Sequence, residues 1–354
     1  MDRRTALTQT NSGLPPVSRR SVLRGAMAGG TALALGAFVP SATAAQAAPR
    51  AIGTIREYWI QAGSFPRTLV SGGHDDLLGR IFTPEDSGYW ALGYRAYTPN
   101  WAKPLASDAN HGENAGIPGP VIRANVGDTI VIHFRNNDTH YRFPHSIHVH
   151  GLVYTPENDG AWISSKSNAP GTAVLPGHTH TYTYRADATS VGTWVYHDHS
   201  LPQSLGGGAP VMDLSTQLGM FGLIAVDAPG APPVDCEHIL YFHQMYAADV
   251  PSLAQDYACF NGAAFLPNTP VFHSKVGERV RWRIGALGQE FYTFHLHGHR
   301  WKTGDGYRDT ALIGPASTAT IEYVEDNPGS WFYHATSTNH LVSGMIGQYF
   351  VTKA

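Results

Sequence analysis

An all-β chain folded as two Greek-key β-sandwiches is what this 354-residue sequence predicts. Three observations lead there. Short runs of Val, Ile, Tyr, Trp and Thr alternate with turn residues, among 38 Gly and 24 Pro. Four landmarks occur twice in the same order. A Pro-rich hinge separates the two copies.

The N-terminal segment reads as an address. Ser18-Arg19-Arg20-Ser21-Val22-Leu23-Arg24 precedes a mildly apolar stretch, Gly25–Phe38, and then the small-residue sites Ala42-Thr43-Ala44 and Ala45-Gln46-Ala47. A twin-arginine region, a short apolar region and such sites describe a Tat-type export signal over residues 1–47. The apolar stretch is too short and Gly-rich to span a bilayer. The mature chain is therefore expected to be secreted or otherwise outside the cytoplasm, with no membrane association. It keeps 19 Lys+Arg against 26 Asp+Glu, an acidic balance that argues against nucleic acid as a partner.

The first copy, residues 50–227, opens its repeat at Pro120-Val121-Ile122-Arg123-Ala124-Asn125-Val126-Gly127-Asp128. The strand TIVIHF follows, alternating apolar and polar side chains as a half-buried strand does. Then come His148-Val149-His150-Gly151, Trp194-Val195-Tyr196-His197-Asp198-His199, and Gly219-Met220-Phe221-Gly222. The hinge is Ala228-Pro229-Gly230-Ala231-Pro232-Pro233.

The second copy, residues 234–354, begins its repeat at Pro270-Val271-Phe272-His273-Ser274-Lys275-Val276-Gly277-Glu278, followed by RVRWRI. His295-Leu296-His297-Gly298, Trp331-Phe332-Tyr333-His334-Ala335-Thr336 and Gly344-Met345-Ile346-Gly347 complete it. Cys236 and Cys259 are the only cysteines, and neither adjoins a His cluster. In an oxidising compartment they are free to pair or to stay reduced.

Seven of the 19 His lie in the H-x-H-G and Trp-x-Tyr-His landmarks. Residues i and i+2 of a strand share a face, so each H-x-H presents two imidazoles side by side to one metal or two adjacent ones. His178 and His180, in PGHTHTYTY, are expected on an exposed strand face. His74, His111, His243 and His273 are scattered.

Taken together, HVHG, WVYHDH, HLHGHRW and WFYH with His340 and Met345 resemble the multicopper oxidase family, specifically its two-domain small-laccase type. The resemblance covers the whole mature chain and implies two cupredoxin-like domains. It implies copper as cofactor, with His148 and His295 on a type 2 ion. His199, His297 and His334 would serve one type 3 ion, and His150 and His197 the other. Tyr154 and Asp159 fall where such proteins keep a tyrosine and an acid that help proton delivery to O2. It also implies a homotrimer with the cluster between subunits.

The sequence departs from the family where electrons are normally taken in. Its type 1 copper uses His, Cys, His and Met. Here Tyr292 stands for the first His and Ala335 for the Cys, leaving His340 and Met345. Thr336 replaces the third imidazole of the ion served by His150 and His197. In the first copy His145 stands three residues before HVH, but Asp198 takes the cysteine position. The reading is a copper-dependent oxidoreductase that turns a small-molecule substrate over with O2 at a residual type 2/type 3 cluster. Ordinary laccase turnover is expected to be absent or feeble. A non-catalytic copper-binding or storage role is the alternative, and a nitrite-reductase-like enzyme ranks below it, since that chemistry also needs a type 1 centre.

Overall fold

Alternation becomes strand pairing throughout the chain. The computed structural model describes residues 53–108, 112–166 and 168–354. The export segment 1–47 and His111 lie outside the described residues.

The first half is built from β1 (Ile55–Thr68), β2 (Gly88–Tyr97), β3 (Ile122–Asn125), β4 (Thr129–Asn137), β5 (His148–Val149), β6 (Thr179–Arg185), β7 (Gly192–His197) and β8 (Phe221–Asp227). These form two four-stranded sheets, in the orders β2-β1-β4-β6 and β3-β8-β7-β5. In β4 the residues Ile130, Ile132 and Phe134 point inward and are fully buried, while their neighbours face outward.

The second half repeats the plan with β9 (Cys236–Met245), β10 (Tyr257–Phe260), β11 (Val271–Lys275), β12 (Arg279–Ala286), β13 (Tyr292–Leu296), β14 (Thr310–Ile313), β15 (Thr318–Val324), β16 (Gly329–Ala335) and β17 (Ile346–Thr352). Its sheets run β10-β9-β12-β15 and β11-β17-β16-β13-β14. In both halves the first strand pairs parallel to the strand after the V-G-[DE] turn, β1 with β4 and β9 with β12. The all-β Greek-key expectation is met. Among the described residues, no helix is long and apolar enough to cross a membrane.

The landmark residues have matching structural duties. Tyr196 donates its hydroxyl to the Pro120 carbonyl at 2.7 Å, and Tyr333 does so to Pro270 at 2.6 Å. The indoles of Trp194 and Trp331 donate to Ser190 and Asn327 carbonyls. Gly151 and Gly298, at φ +72° and +71°, lie against those indoles, and a Cβ there would sit 2.0 Å and 2.6 Å from them. The glycine of H-x-H-G is therefore fixed by a tryptophan at the foot of the next landmark strand.

The halves are tied by buried charge. Arg283, on β12 and 2% exposed, reaches Glu237 Oε1 at 2.6 Å, Asp227 Oδ1 at 2.8 Å and Thr193 Oγ1 at 3.1 Å. The first-half core also takes in Tyr241, Met245, Tyr257 and Phe265, so apolar packing continues past the hinge. Both cysteines are free, Cys259 being buried and Cys236 partly so.

Candidate metal centre

Strand register assembles the histidines. His148 on β5 pairs with His197 on β7, and His295 on β13 pairs with His334 on β16. Side chains at paired positions share a face, which brings each H-x-H against the imidazole of the neighbouring strand. Two groups result, His148 with His150 and His197, and His295 with His297 and His334, each offering ring nitrogens within 4.8 Å of one another.

Within the first group His150 Nε2 lies 3.3 Å from His197 Nε2. Within the second, His297 Nε2 lies 2.9 Å from His334 Nε2. The outer nitrogens are held by oxygen acceptors. His148 Nδ1 faces the Asp159 carbonyl at 2.7 Å, and His197 Nδ1 the Asp198 carbonyl at 3.0 Å. His295 Nδ1 faces the Asp309 carbonyl at 2.9 Å, and His334 Nδ1 the Ala335 carbonyl at 2.9 Å. Donation from Nδ1 leaves the Nε2 lone pair directed into the group, the tautomer a metal needs. Burial lowers the pKa of His148, His297 and His334, and takes His150 to about 4 and His197 to about 3, so these rings are neutral at pH 7. Neutral imidazoles converging on one point, with no carboxylate among them, fit copper or zinc and do not fit magnesium or calcium.

His199 stands beside the first group, its ring 5.3 Å from His148 and 5.7 Å from His197. Tyr154 stacks edge-on to His148 at 6.3 Å, and Asp159 Oδ1 lies 3.4 Å from His148 Nδ1. Burial raises the Tyr154 pKa, and the neighbouring Asp159 raises it further. All the candidate residues of the first copy thus come together around His148. Thr336 lies exposed at the end of β16, its amide bonded to Thr293.

The four positions compared with a type 1 site hold a packed pocket. Tyr292, Ala335 and Met345 are fully buried and His340 is 5% exposed. The Tyr292 hydroxyl donates to Gln244 Oε1 at 3.1 Å, and its ring leans on His340 at 5.0 Å. His340 Nε2 lies 2.8 Å from Glu290 Oε2, while its Nδ1 is buried without a hydrogen-bond partner.

The equivalent place in the first half is filled differently. His145 Nδ1 lies 2.9 Å from Asp198 Oδ2, and its Nε2 lies 3.4 Å from Asp138 Oδ2, all three residues being buried. Burial works against the imidazolium, but both carboxylates favour it and lift its pKa to about 9. This place is therefore filled by a protonated imidazole between two carboxylates. Asp138 carries no motif that would have revealed this, since it approaches through the fold from the end of β4.

Of the two histidines expected on an exposed strand face, His178 is exposed ahead of β6. His180 departs from the expected exposed strand face: it is half-buried and stacks edge-on against Tyr182 at 4.6 Å. The Gly171 backbone turns close beneath it and covers that side of the strand.

Comparison with known proteins agrees with this architecture. Family models described as multicopper oxidase match residues 99–229 and 240–354. The chain is 30% identical over 259 residues to a probable nitrite reductase-hydroxylamine oxidoreductase fusion protein of Kuenenia stuttgartiensis, covering 68% of this chain and 28% of that one. It is 28% identical over 274 residues to Hephaestin of Homo sapiens, covering 67% and 23%. The chain thus spans less than a third of the length of these relatives. A crystal structure of a multicopper oxidase superposes with a TM-score of 0.59 at 24% identity, covering 84% of this chain and 89% of that one. Copper nitrite reductase from Nitrosomonas europaea superposes with a TM-score of 0.59 at 22% identity, covering 84% and 94%. At such identities the likeness is one of fold.

Proposed function

This chain belongs to the multicopper oxidase family, and we propose that it is an exported copper oxidoreductase that works without a type 1 copper. The observation that carries this reading is the contrast between its two kinds of histidine site. Two three-His groups keep ring nitrogens within 4.8 Å of one another, while the pocket around His340 is closed by Tyr292 and Ala335. Grouped, partly buried imidazoles cost desolvation free energy unless a ligand repays it, which favours retention for use.

Copper bound there would pass electrons from a reduced small molecule to O2. His148 and His295 would hold the type 2 ion, His199, His297 and His334 one type 3 ion, and His150 and His197 the other. The seven ligands fall into two sets on one chain, and a homotrimer would bring the first-half set of one subunit to the second-half set of the next. Carbonyls of Asp159, Asp198, Asp309 and Ala335 orient the rings. Asp159, against His148, would supply protons, with Tyr154 beside it. Thr336, short and exposed, leaves room beside His150 and His197 for a small molecule. Export would follow the Tat-type segment.

Copper content after loading tests the reading. About two to three coppers per chain, without the blue of a copper–thiolate bond, are expected from this donor set. One or none would support a weak or degenerate copper-binding role, and zinc in their place would overturn the redox assignment. Similarity to nitrite-reductase proteins favours assaying nitrite as a second acceptor. That activity is expected to be low, because its usual electron supply at type 1 copper is missing.

A further inference from the structure

If Tyr292 and Ala335 close the usual electron input, the second half offers another. Behind the His297 group lies a buried chain of polar and redox-capable side chains. His299 Nδ1 donates to the His297 carbonyl at 2.7 Å, and its Nε2 lies 2.8 Å from Glu325 Oε1. Tyr349 donates its hydroxyl to Glu325 Oε2 at 2.5 Å. Tyr323 Oη lies 3.4 Å from Tyr349 Oη and accepts from Trp282 Nε1 at 3.0 Å. The ring of His299 is 5.3 Å from that of Tyr349 and 5.6 Å from that of Tyr323. His299, Glu325, Tyr349 and Trp282 are all at most 5% exposed.

The first half supplies an internal control. Strand pairing matches Tyr349 with Ile224, since Tyr349 pairs with Phe272 and Ile224 with Ile122. The turn bonds from Gly277 to Glu325 and from Gly127 to Ala186 match Glu325 with Ala186. By the same register Trp282 matches Ile132, and His299 matches Leu152. All four first-half residues are buried and apolar. The sandwich therefore forms without a His–Glu–Tyr–Trp set at these positions. Burying a carboxylate and its partners costs more than packing aliphatics, so the fold alone does not call for them.

The chain also reaches the surface. Tyr323 lines a cavity of about 460 Å³ together with His299, Trp301, Tyr307, Arg300 and Lys302. Tyr307 is 69% exposed at its rim. The cavity is large enough for a single substituted aromatic ring.

We propose that this cavity binds an electron-rich phenol, and that Tyr323 and Tyr349 relay its electron to the copper held at His297 and His334. The proposal rests on the copper-cluster reading above. Tyr349 gives up one electron toward the cluster, and its phenolic proton moves to Glu325 Oε2. An electron returns from the phenol through Tyr323, the proton returns from Glu325, and the oxidised phenol releases its own proton to solvent as it leaves as a phenoxyl radical. Although burial pushes the Glu325 carboxyl up, hydrogen bonds from His299, Tyr349 and Asn327 hold it below the ordinary carboxylate range, so it stands ready as the acceptor.

The test is flash photo-oxidation of the full chain with a ruthenium tris-bipyridine sensitiser, read by transient absorption and electron paramagnetic resonance. A tyrosyl radical is expected in the parent chain and in Tyr184→Phe, which removes a first-half tyrosine outside the relay. It should be lost in Tyr349→Phe and in Glu325→Gln. With 2,6-dimethoxyphenol as probe, the radical should decay faster in a saturable way, and Tyr307→Ala should weaken the saturation. An unchanged radical in Tyr349→Phe overturns the relay. A strictly linear dependence on the probe, the same in Tyr307→Ala, overturns the cavity as its binding site. Copper content should be equal in all these variants. A chain that takes up no copper yet still forms the Tyr349 radical would sink the cluster reading and leave the relay standing.

Discussion

At the scale of single residues, the two places compared with a type 1 site show two ways of filling a pocket. In the first half a buried ion pair fills it. His145 is wedged between Asp138 and Asp198, with Ser146 and Ser200 also bonded to Asp198. Its folded pKa of about 9 exceeds the unfolded value of about 6.5, so its stabilisation is complete below pH 6.5 and disappears as pH rises through 9. The difference corresponds to about 3 kcal/mol. Urea unfolding followed from pH 6 to 10 should show this loss, and Asp198→Asn should flatten it. An identical slope in the variant would assign the loss to other groups. In the second half an aromatic side chain fills it: Tyr292 buries its ring against Phe242 and His340 and hands its hydroxyl to Gln244. Nothing in the sequence distinguished these outcomes, because Asp138 and Gln244 are remote in the chain from the motifs they complete.

At the scale of elements, strand β16 can be asked to complete a type 1 site. His340 Nδ1 is buried without a partner, the buried Met345 donates its amide to the His340 carbonyl, and Ala335 donates its amide to the Met345 carbonyl. Replacing Ala335→Cys, Tyr292→His and Thr336→His together should therefore give a copper–thiolate site with intense blue absorbance after copper loading. Colourless protein that folds and binds copper elsewhere would show that these strands do not align with the family's. The second half was legible because its landmarks sit on paired strands, where a period of two fixes which side chains meet. His295 and His297 could thus be placed side by side from spacing alone, while their grouping with His334 comes from the strand pairing. Elements without a landmark were not legible in the same way. β1 and β2, the longest-paired strands of the first half, contribute to core and register but carry no repeated motif. The Arg283 cluster and the His299–Glu325–Tyr349 chain escaped notice for a related reason. Each joins residues from several strands whose proximity only the sheet order creates.

At the scale of the whole molecule, the question is which copies of the two histidine sets work together. Buried charge around Arg283 fixes the halves of one chain to each other, so each chain carries one set of each kind in a constant relation. A ring of such chains would close by pairing unlike sets from neighbours, a heterologous contact that generates cyclic symmetry. Co-expression of two inactive chains separates this arrangement from a cluster within one chain. One chain would carry His148→Ala, His150→Ala and His197→Ala, and the other His295→Ala, His297→Ala and His334→Ala. In randomly mixed trimers, an intact cluster forms wherever an unaltered first half meets an unaltered second half. That should happen at about one contact in four. Copper content and O2 uptake should recover to about that fraction of the parent chain, while each variant expressed alone stays without either. Mixed assemblies that form but recover nothing would place each cluster within a single chain. The mass of the mixed particle gives the ring size separately, because the recovered fraction of about one contact in four is the same for a ring of any size.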